Sequence, residues 1–211
     1  MAVSFCKKND NYSEKIIRQK QIKEIKKEIF RKTIHLCTAI VPFALKSFYW
    51  PTIVLLFLAL ILYIVCEYLR MKGKTIPVIS KITDIASRKR DENHFVLGPV
   101  TLVIGILLTA LIFPPIPATV GILALAFGDG LASLFGKLFG HVIIPFSHGK
   151  TVAGSLTCFI AIFITSYLTC LDPLCSLFLG VLGMVIEVFC IKDFDNIAIP
   201  VSMAFICNFF V

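Results

Sequence analysis

Two apolar stretches of the chain carry acidic residues, which are the residue types here most able to do chemistry. Asp129 directly follows the apolar run 120–127, and Glu187 lies within another apolar segment, with Asp195 and Asn196 just beyond it. A charged side chain at membrane depth costs roughly 2.5–3.5 kcal/mol on insertion scales, so such acids are candidate functional residues. Oxygen ligands suit Mg²⁺, which takes one or two carboxylates plus substrate phosphates. We predict Asp129, Asp195 and Asn196 as metal ligands and Asp129 and Glu187 as catalytic; an acidic turn capping two helices is the alternative.

Cations, hydroxyls and small residues lie between these acids and suit phosphate groups. Gly149-Lys150-Thr151 opens an apolar segment, and a helix N-terminus binds phosphate through its free N–H groups. The stretch is not a Walker A motif, because position 144 is Ile rather than Gly. Helix packing through small residues is the alternative role of the glycines. The predicted nucleotide- and phosphate-binding residues are Arg31, Lys32, Ser133, Gly136, Lys137, Gly149, Thr151, Gly154 and Ser155.

Histidine supplies the candidate bases. Glu28, Arg31, Lys32 and His35 follow one another at helical offsets, so they are predicted to share one helix face. His35 already lies inside an apolar run, and we predict it as a catalytic residue together with Lys150. His94 and His148 are further candidate bases, and a hydrogen-bonding role is the alternative for all three histidines.

The composition is that of a polytopic membrane protein. Of 211 residues, 57% are hydrophobic and 16% are charged, and the formal net charge is +8. The basic residues border apolar runs, where topology and anionic lipid account for them, so we expect no nucleic-acid partner. The eight Cys residues lie mostly in apolar segments and form no C-x-x-C pair, so we interpret them as free thiols.

Seven apolar segments are candidate membrane spans, each of which needs about 20 residues. Pro42 predicts a kink in the first. We predict an all-α polytopic integral membrane protein with a basic segment (1–33) and a transmembrane catalytic domain (34–211). The seven predicted spans are about 34–49, 51–69, 96–113, 116–138, 151–171, 173–191 and 197–211.

The distribution of charge predicts an orientation. If the N-terminus is cytoplasmic, every Lys and Arg except Lys46 falls on the cytoplasmic side, as the positive-inside rule requires. The candidate site residues fall on the same side, so we expect a cytoplasm-facing active site. Ile22, Ile25 and Ile29 recur at helical spacing among lysines, which predicts an amphipathic helix on an anionic membrane surface.

Four blocks, in order along the chain, resemble motifs of the polyprenol kinase family, which includes phytol and farnesol kinases, dolichol kinases and CTP-dependent diacylglycerol kinases. The run from Glu28 to His35 resembles E-x-x-R-K-x-x-H. The run from Gly128 to Gly140 resembles G-D-x-x-A-x-x-x-G-K-x-x-G.

The third block, Lys150 to Ser155, resembles K-[ST]-x-E-G-S, but Ala153 stands where the family pattern has Glu. This departure removes a carboxylate that could hold a metal or orient a hydroxyl, so it affects the expected substrate or nucleotide preference. The closing block resembles E…D-N…P and consists of Glu187, Asp195, Asn196 and Pro200.

The resemblance implies a lipid kinase that uses Mg²⁺ and transfers the γ-phosphate of CTP, or else ATP or UTP, to the hydroxyl of a membrane lipid alcohol. Phytol, a longer polyprenol and diacylglycerol all fit as acceptors. One alternative is cytidylyl transfer, as in the distantly related CDP-diacylglycerol synthases. Another is a small ion-coupled transporter with Asp129 and Glu187 as ion ligands. The compact size favours a bacterial inner membrane over the endoplasmic reticulum.

Overall fold

The computed structural model describes residues 25–73, 94–147, 149–190 and 193–211, together with Gln19 and Ile22. Within these ranges the chain is helical apart from short connections and one isolated antiparallel bridge. The predicted all-α class is confirmed. Most of the basic segment 1–33 lies outside the described residues, and so do the basic residues of the loop 74–93, His148 and Lys192.

Each of the seven predicted apolar segments is helical in the structure. The helices are α1 (residues 25–37), a 3-10 turn (Thr38–Ile40), α2 (Val41–Ser47), α3 (Tyr49–Met71), α4 (Gly98–Ile112), α5 (Pro115–Leu123), a π-helical segment (Ala124–Asp129), α6 (Gly130–Phe139), α7 (Val152–Cys170), α8 (Pro173–Phe189) and α9 (Asp195–Cys207).

Three helical stretches are long and apolar enough to cross a membrane: Tyr49–Met71, Pro115–Phe139 and Val152–Cys170. Their lengths of 23, 25 and 19 residues match the thickness of a bilayer at 1.5 Å per residue. The helices α4, α8 and α9 are apolar but shorter. This architecture is consistent with a membrane protein, whereas a count of seven spans stays a prediction.

Proline explains the change of helix type in the first segment. Pro42 has no N–H to donate to the carbonyl of Thr38 four residues earlier, and the N–H of Val41 bonds to that carbonyl instead. The chain therefore tightens into a 3-10 turn at Thr38–Ile40 before it resumes as α2. This irregularity lies at the position where the sequence predicts a kink.

The last helix lies in the core. It packs against α4, α5 and α8, and its residues Ile199, Met203, Ala204 and Cys207 are fully buried. Two glycines permit its close approach, because a Cβ at Gly105 would lie 2.1 Å from the Asn196 carbonyl oxygen.

The second glycine is Gly121, where a Cβ would lie 2.3 Å from the Pro200 carbonyl oxygen. Pro200 also has no N–H for the Asn196 carbonyl, so that oxygen lacks its usual bond within the helix. The backbone of α4 thus packs against the Asn196 carbonyl and that of α5 against the Pro200 carbonyl. These two contacts hold the first turns of α9 in place.

A π-helical segment immediately precedes the candidate site. It covers Ala124–Asp129, where the sequence indicates a regular helix, and it ends at the buried Asp129. Such wide turns occur mostly as single insertions in α-helices and often at functional sites.

We predict that Gly121→Ala destabilises the protein, because a methyl group would collide with the backbone of α9. Overpacking of this kind costs about 1–3 kcal/mol, which exceeds the gain of at most about 1 kcal/mol in helix propensity. Thermal melting in detergent measures the effect. Gly98→Ala is the matched control, since its Cβ would approach nothing closer than 4.0 Å. Equal melting temperatures for the two variants would contradict the described contact between α5 and α9.

Candidate active site

The site is built around Asp129, at the junction between the π-helical segment and α6. Its Oδ2 forms a buried ion pair with the ammonium of Lys32 from α1, and both side chains are almost fully excluded from solvent. His35, one turn further along α1, places its Nδ1 3.2 Å from the same oxygen. The predicted shared face of α1 is therefore confirmed, and it is turned towards Asp129.

The other end of this face is formed by Glu28. Its Oε1 accepts a hydrogen bond from Arg31 on the next turn, and its Oε2 accepts one from Lys137 of α6 at 3.1 Å. Glu28 is buried, whereas the side chain of Lys137 is half exposed. Sequence reasoning placed Glu28 on this face but did not include it in the site, although its position three residues before Arg31 was a local signal.

Glu187 organises a second cluster from α8. Its Oε1 lies 2.5 Å from the ammonium of Lys150, and its Oε2 accepts a hydrogen bond from the Ser155 hydroxyl at 3.2 Å. Burial lowers the pKa of Lys150, but the carboxylates of Glu187 and Asp129 together have the larger effect, so its pKa is raised above the usual value. Lys150 therefore carries a full positive charge at neutral pH.

Asp195 and Asn196 form the first turn of α9 and are both buried. The Asn196 amide donates to the Thr101 hydroxyl at 2.9 Å and to the Gly98 carbonyl at 3.3 Å, which ties α9 to α4. Thr101 was not predicted as part of the site, and no local signal marks it, because it lies 95 residues from Asn196.

The clusters lie close enough to act on one another. Asp129 interacts electrostatically with Lys150 as well as with Lys32, and Asp195 interacts with Asp129, Lys32 and Lys150. One atom is notable: Oδ1 of Asp129 is buried and has no hydrogen-bond partner among the described residues. A buried carboxylate oxygen without a partner is costly, so this oxygen is a candidate point of ligand contact.

The remaining predicted residues lie where α6 meets α7. Thr151 caps α7, because its Oγ1 accepts the Gly154 N–H at 3.2 Å. A Cβ at Gly136 would lie 2.9 Å from Thr151 Oγ1, and one at Gly154 would lie 2.8 Å from the Ala132 carbonyl oxygen. These two glycines therefore allow the helices to touch. Elsewhere, Ser133 is half-buried on α6, and Gly149 is exposed with φ of +88°.

A further buried acid, Glu67, holds the chain that leads into α4. Arg70 donates to both Glu67 oxygens, at 2.9 and 2.7 Å, and the Val96 N–H donates to Oε1 at 2.9 Å. The His94 carbonyl accepts from the same guanidinium at 3.1 Å. This interaction fixes the segment just before Gly98, whose carbonyl contacts Asn196.

The chain resembles proteins from archaea and plants. An uncharacterized protein of Methanocaldococcus jannaschii is 31% identical over 189 residues, which cover 86% of this chain and 93% of the archaeal protein. The chain belongs to the same family as this archaeal protein. No protein-family model matches the chain, and no solved structure matches it.

Plant phytol kinases are also homologues. The rice (Oryza sativa subsp. japonica) protein named "Probable phytol kinase 1, chloroplastic" is 27% identical over 202 residues, covering 84% of this chain and 63% of the rice protein. "Phytol kinase 1, chloroplastic" of Arabidopsis thaliana is 30% identical over 93 residues, covering 43% of this chain and 30% of the plant protein. The matched region is thus less than two thirds of either plant protein. These homologues support a family of the phytol and polyprenol kinase kind.

The pair between Lys32 and Asp129 provides a stability test. We expect Lys32→Met to lower the melting temperature strongly, because removing one partner of a buried pair leaves an uncompensated charge and costs about 3–5 kcal/mol. The double variant Lys32→Met/Asp129→Asn should recover much of that loss, since neither partner is then charged. Lys46→Met, at an exposed lysine, is the control. If the double variant were no more stable than Lys32→Met, the two side chains would not form a pair.

Proposed function

We propose that this protein is a membrane lipid kinase. It transfers the γ-phosphate of a nucleoside triphosphate to the hydroxyl of a lipid alcohol, and we propose CTP as its donor. The observation that carries the proposal is the unpartnered buried oxygen of Asp129 with the cations Lys32 and Lys150 nearby. Phosphoryl transfer needs little covalent chemistry from the protein; it needs positioning and charge stabilisation. The names of the plant homologues support a lipid alcohol as the acceptor.

The donor set fits Mg²⁺ as the metal. Among the described residues no group of three or more His, Cys, Asp or Glu side chains is arranged to enclose an ion. Mg²⁺ does not require such a cage, because it commonly binds one or two carboxylates and completes its shell with phosphates and water. Asp129 would hold it through Oδ1, with Asp195 and Asn196 nearby in the first turn of α9. When bound, Mg²⁺ would neutralise charge on the transferred phosphate and align it.

The cations on either side of Asp129 would bind the phosphates. Lys32 and Lys150 are buried or nearly so, and they carry charge into a region with little water to screen it. Lys137, whose side chain is half exposed, would meet the nucleotide from outside together with Arg31. At the start of α7 the N–H groups of Val152, Gly154 and Ser155 already donate to protein oxygens, so Lys150 is the phosphate ligand that we assign there.

Glu187 is the residue that we assign to the acceptor. In the proposed step the lipid hydroxyl oxygen forms a bond to the γ-phosphorus, the bond from phosphorus to the β-γ bridging oxygen breaks, and the nucleoside diphosphate leaves. The hydroxyl proton passes to Glu187, which already accepts a hydrogen bond from the Ser155 hydroxyl. His35 of α1 lies beside Asp129, with its Nδ1 3.2 Å from Oδ2, and we assign it a role next to this carboxylate. Phytol, a longer polyprenol or diacylglycerol would present its hydroxyl with its tail in the bilayer, and we place this site on the cytoplasmic side.

Label transfer in lipid nanodiscs tests the proposal. Purified protein is given Mg²⁺, one acceptor at a time (phytol, a long polyprenol or diacylglycerol), and CTP labelled at either the γ or the α phosphate, with γ-labelled ATP and UTP alongside. We expect the acceptor to gain label from the γ position only. Label from the α position would instead mean cytidylyl transfer, and no transfer from any nucleotide would overturn the kinase proposal.

Variants connect this activity to the site. We expect Asp129→Asn and Glu187→Gln each to lower the transfer rate by at least about 10²-fold, which is typical for loss of a group that stabilises or positions the transition state. Asp172→Asn is the matched control: Asp172 caps α8, and Asn caps helices equally well. Thermal melting confirms that each variant is folded. Full activity in a folded Asp129→Asn protein would remove this residue from the site.

Every cation of the proposed site is paired with an acid in the structure. Lys32 pairs with Asp129, Lys150 with Glu187, and Lys137 with Glu28. A free metal ion at Asp129 would therefore meet the Lys32 ammonium, and a free nucleotide would bring its phosphates close to carboxylates. With both bound, Asp129 would hold the metal and Lys32 would bind the phosphates. We infer that the site binds the metal–nucleotide complex far better than either part alone.

The repulsion by Lys32 gives this idea a direct test. We expect Lys32→Gln to bind Mn²⁺, followed by electron paramagnetic resonance without nucleotide, more tightly than the parent protein, because the charge beside Asp129 is gone. Mn²⁺ should also raise the melting temperature of this variant more than that of the parent, since a ligand stabilises the state that binds it. Lys46→Gln, at an exposed lysine, is the control. Equal affinity in parent and Lys32→Gln would contradict the exchange of partners.

A further inference from the structure

The connection between α6 and α7, residues 140–151, is a small hairpin with backbone hydrogen bonds across it, and the structure describes all of its residues but His148. The Ile144 N–H donates to the Lys150 carbonyl at 2.9 Å, and the Val152 N–H donates to the Val142 carbonyl at 3.0 Å. Ile143 and Thr151 form the antiparallel bridge between these bonds. The hairpin is therefore closed by hydrogen bonds between its backbone groups, and Lys150 itself takes part in one of them.

A buried serine closes the turn of this hairpin. The Ser147 hydroxyl donates to the Ile144 carbonyl at 2.6 Å and accepts the Lys150 N–H at 3.2 Å. Ser147 is only 1% exposed, although Phe146 just before it is 96% exposed. These two bonds close the turn from its inner side.

The outer surface of the hairpin carries large hydrophobic side chains that are mostly exposed. Val142 and Ile143 are each 64% exposed, and Phe146 is 96% exposed. Phe146 also has φ of +63°, a conformation that a bulky residue rarely adopts and that costs free energy. An aromatic ring held outwards by a strained backbone on an ordered turn is better suited to contact with an apolar medium than with water.

The neighbouring helices indicate which medium this is. Exposed hydrophobic residues adjoin the hairpin on both sides: Phe139 at the end of α6, and Val152 and Leu156 at the start of α7. Both helices belong to stretches that are long and apolar enough to cross a membrane, so the hairpin continues their lipid-facing surface. At the rim, the Lys137 side chain is half exposed, and a cation at this level suits anionic lipid headgroups.

We propose that the hairpin inserts Val142, Ile143 and Phe146 into the bilayer leaflet on the side of the candidate site. It would act as a shallow interfacial anchor, with apolar side chains below the headgroups and basic side chains among them. The partner is the lipid bilayer itself. This contact does not depend on which reaction the site performs. Its consequence for the site is positional, because Lys150 and the cap of α7 lie at the base of the inserted turn.

Depth-dependent fluorescence quenching tests the insertion. Trp50 is the only tryptophan, so Trp50→Phe provides a silent background in which Phe146→Trp or Ile143→Trp reports on the hairpin. The protein is placed in phosphatidylcholine nanodiscs with acyl chains brominated near either the headgroup or the chain end. We expect the introduced indole to lose emission mainly with bromines near the headgroup, to show a blue-shifted spectrum and to be protected from aqueous iodide.

Lys72→Trp in the same background is the matched control, because Lys72 is an exposed polar residue at the end of α3. Its indole should be quenched by iodide more than by brominated chains. The proposal is overturned if the indoles at positions 143 and 146 behave like the control, with strong iodide quenching and no response to bromine. Using two positions separates a local distortion at the strained Phe146 from a real absence of lipid contact.

A kinetic consequence rests on the proposed kinase function. If the inserted turn brings the lipid hydroxyl to Lys150, Phe146→Ser should raise KM for the lipid acceptor in bilayers and leave KM for the nucleotide unchanged. A rise in both constants would mean damage to the site rather than loss of lipid contact. If the parent protein transfers no phosphate, the kinase proposal fails, but the quenching experiment still decides on insertion.

Discussion

The ion pair between Lys32 and Asp129 is the constraint on which the candidate site depends. It joins side chains 97 residues apart, one on the first described helix and the other at the end of the π-helical segment, and both are removed from solvent. Charges in such a place are expensive unless each has its partner, so α1 must stay against the junction of the π segment and α6. This requirement also brings His35 to Asp129 and Glu28 to Lys137, since all lie on the same face of α1.

Close backbone contacts at glycines fix the other helices of the site. Gly105 and Gly121 let α9 approach α4 and α5 within the space that a methyl group would fill, and Pro200 leaves the Asn196 carbonyl without its partner in the helix. Close packing therefore fixes the position of α9, and with it the position of Asp195 in the site. Gly136 and Gly154 have the same effect between α6 and α7, where Thr151 caps the helix next to Lys150.

The resulting site is balanced in charge, and this property connects its stability with its proposed chemistry. A lipid kinase must hold a polyanion and a metal ion at the edge of a medium that dissolves neither. A site made of cations alone would be unstable without its nucleotide, and one made of acids alone would repel it. Pairing each lysine with an acid compensates both charges before substrate binds. On binding, a phosphate would replace the carboxylate beside each lysine, and the metal would replace the lysine beside Asp129.

The sequence by itself determined the helical class, the positions of the apolar segments and most candidate residues, because these follow from composition, helical spacing and short motifs. Glu28, Lys32 and His35 were predicted on one face for the local reason that residues three and four apart are neighbours on a helix. The break at Pro42 was likewise predictable, since the missing N–H acts on its own turn.

Only the tertiary structure decided which side chains form pairs. No local rule joins Lys32 to Asp129, Lys150 to Glu187 or Asn196 to Thr101, since each pair depends on how helices distant in sequence are packed. The sequence also did not predict the π-helical segment or the apolar hairpin. An apolar run has the same composition whether it forms a regular α-helix, a π-helix or an exposed turn. Periodicity specifies which residues share a face, whereas burial and close packing decide which faces meet.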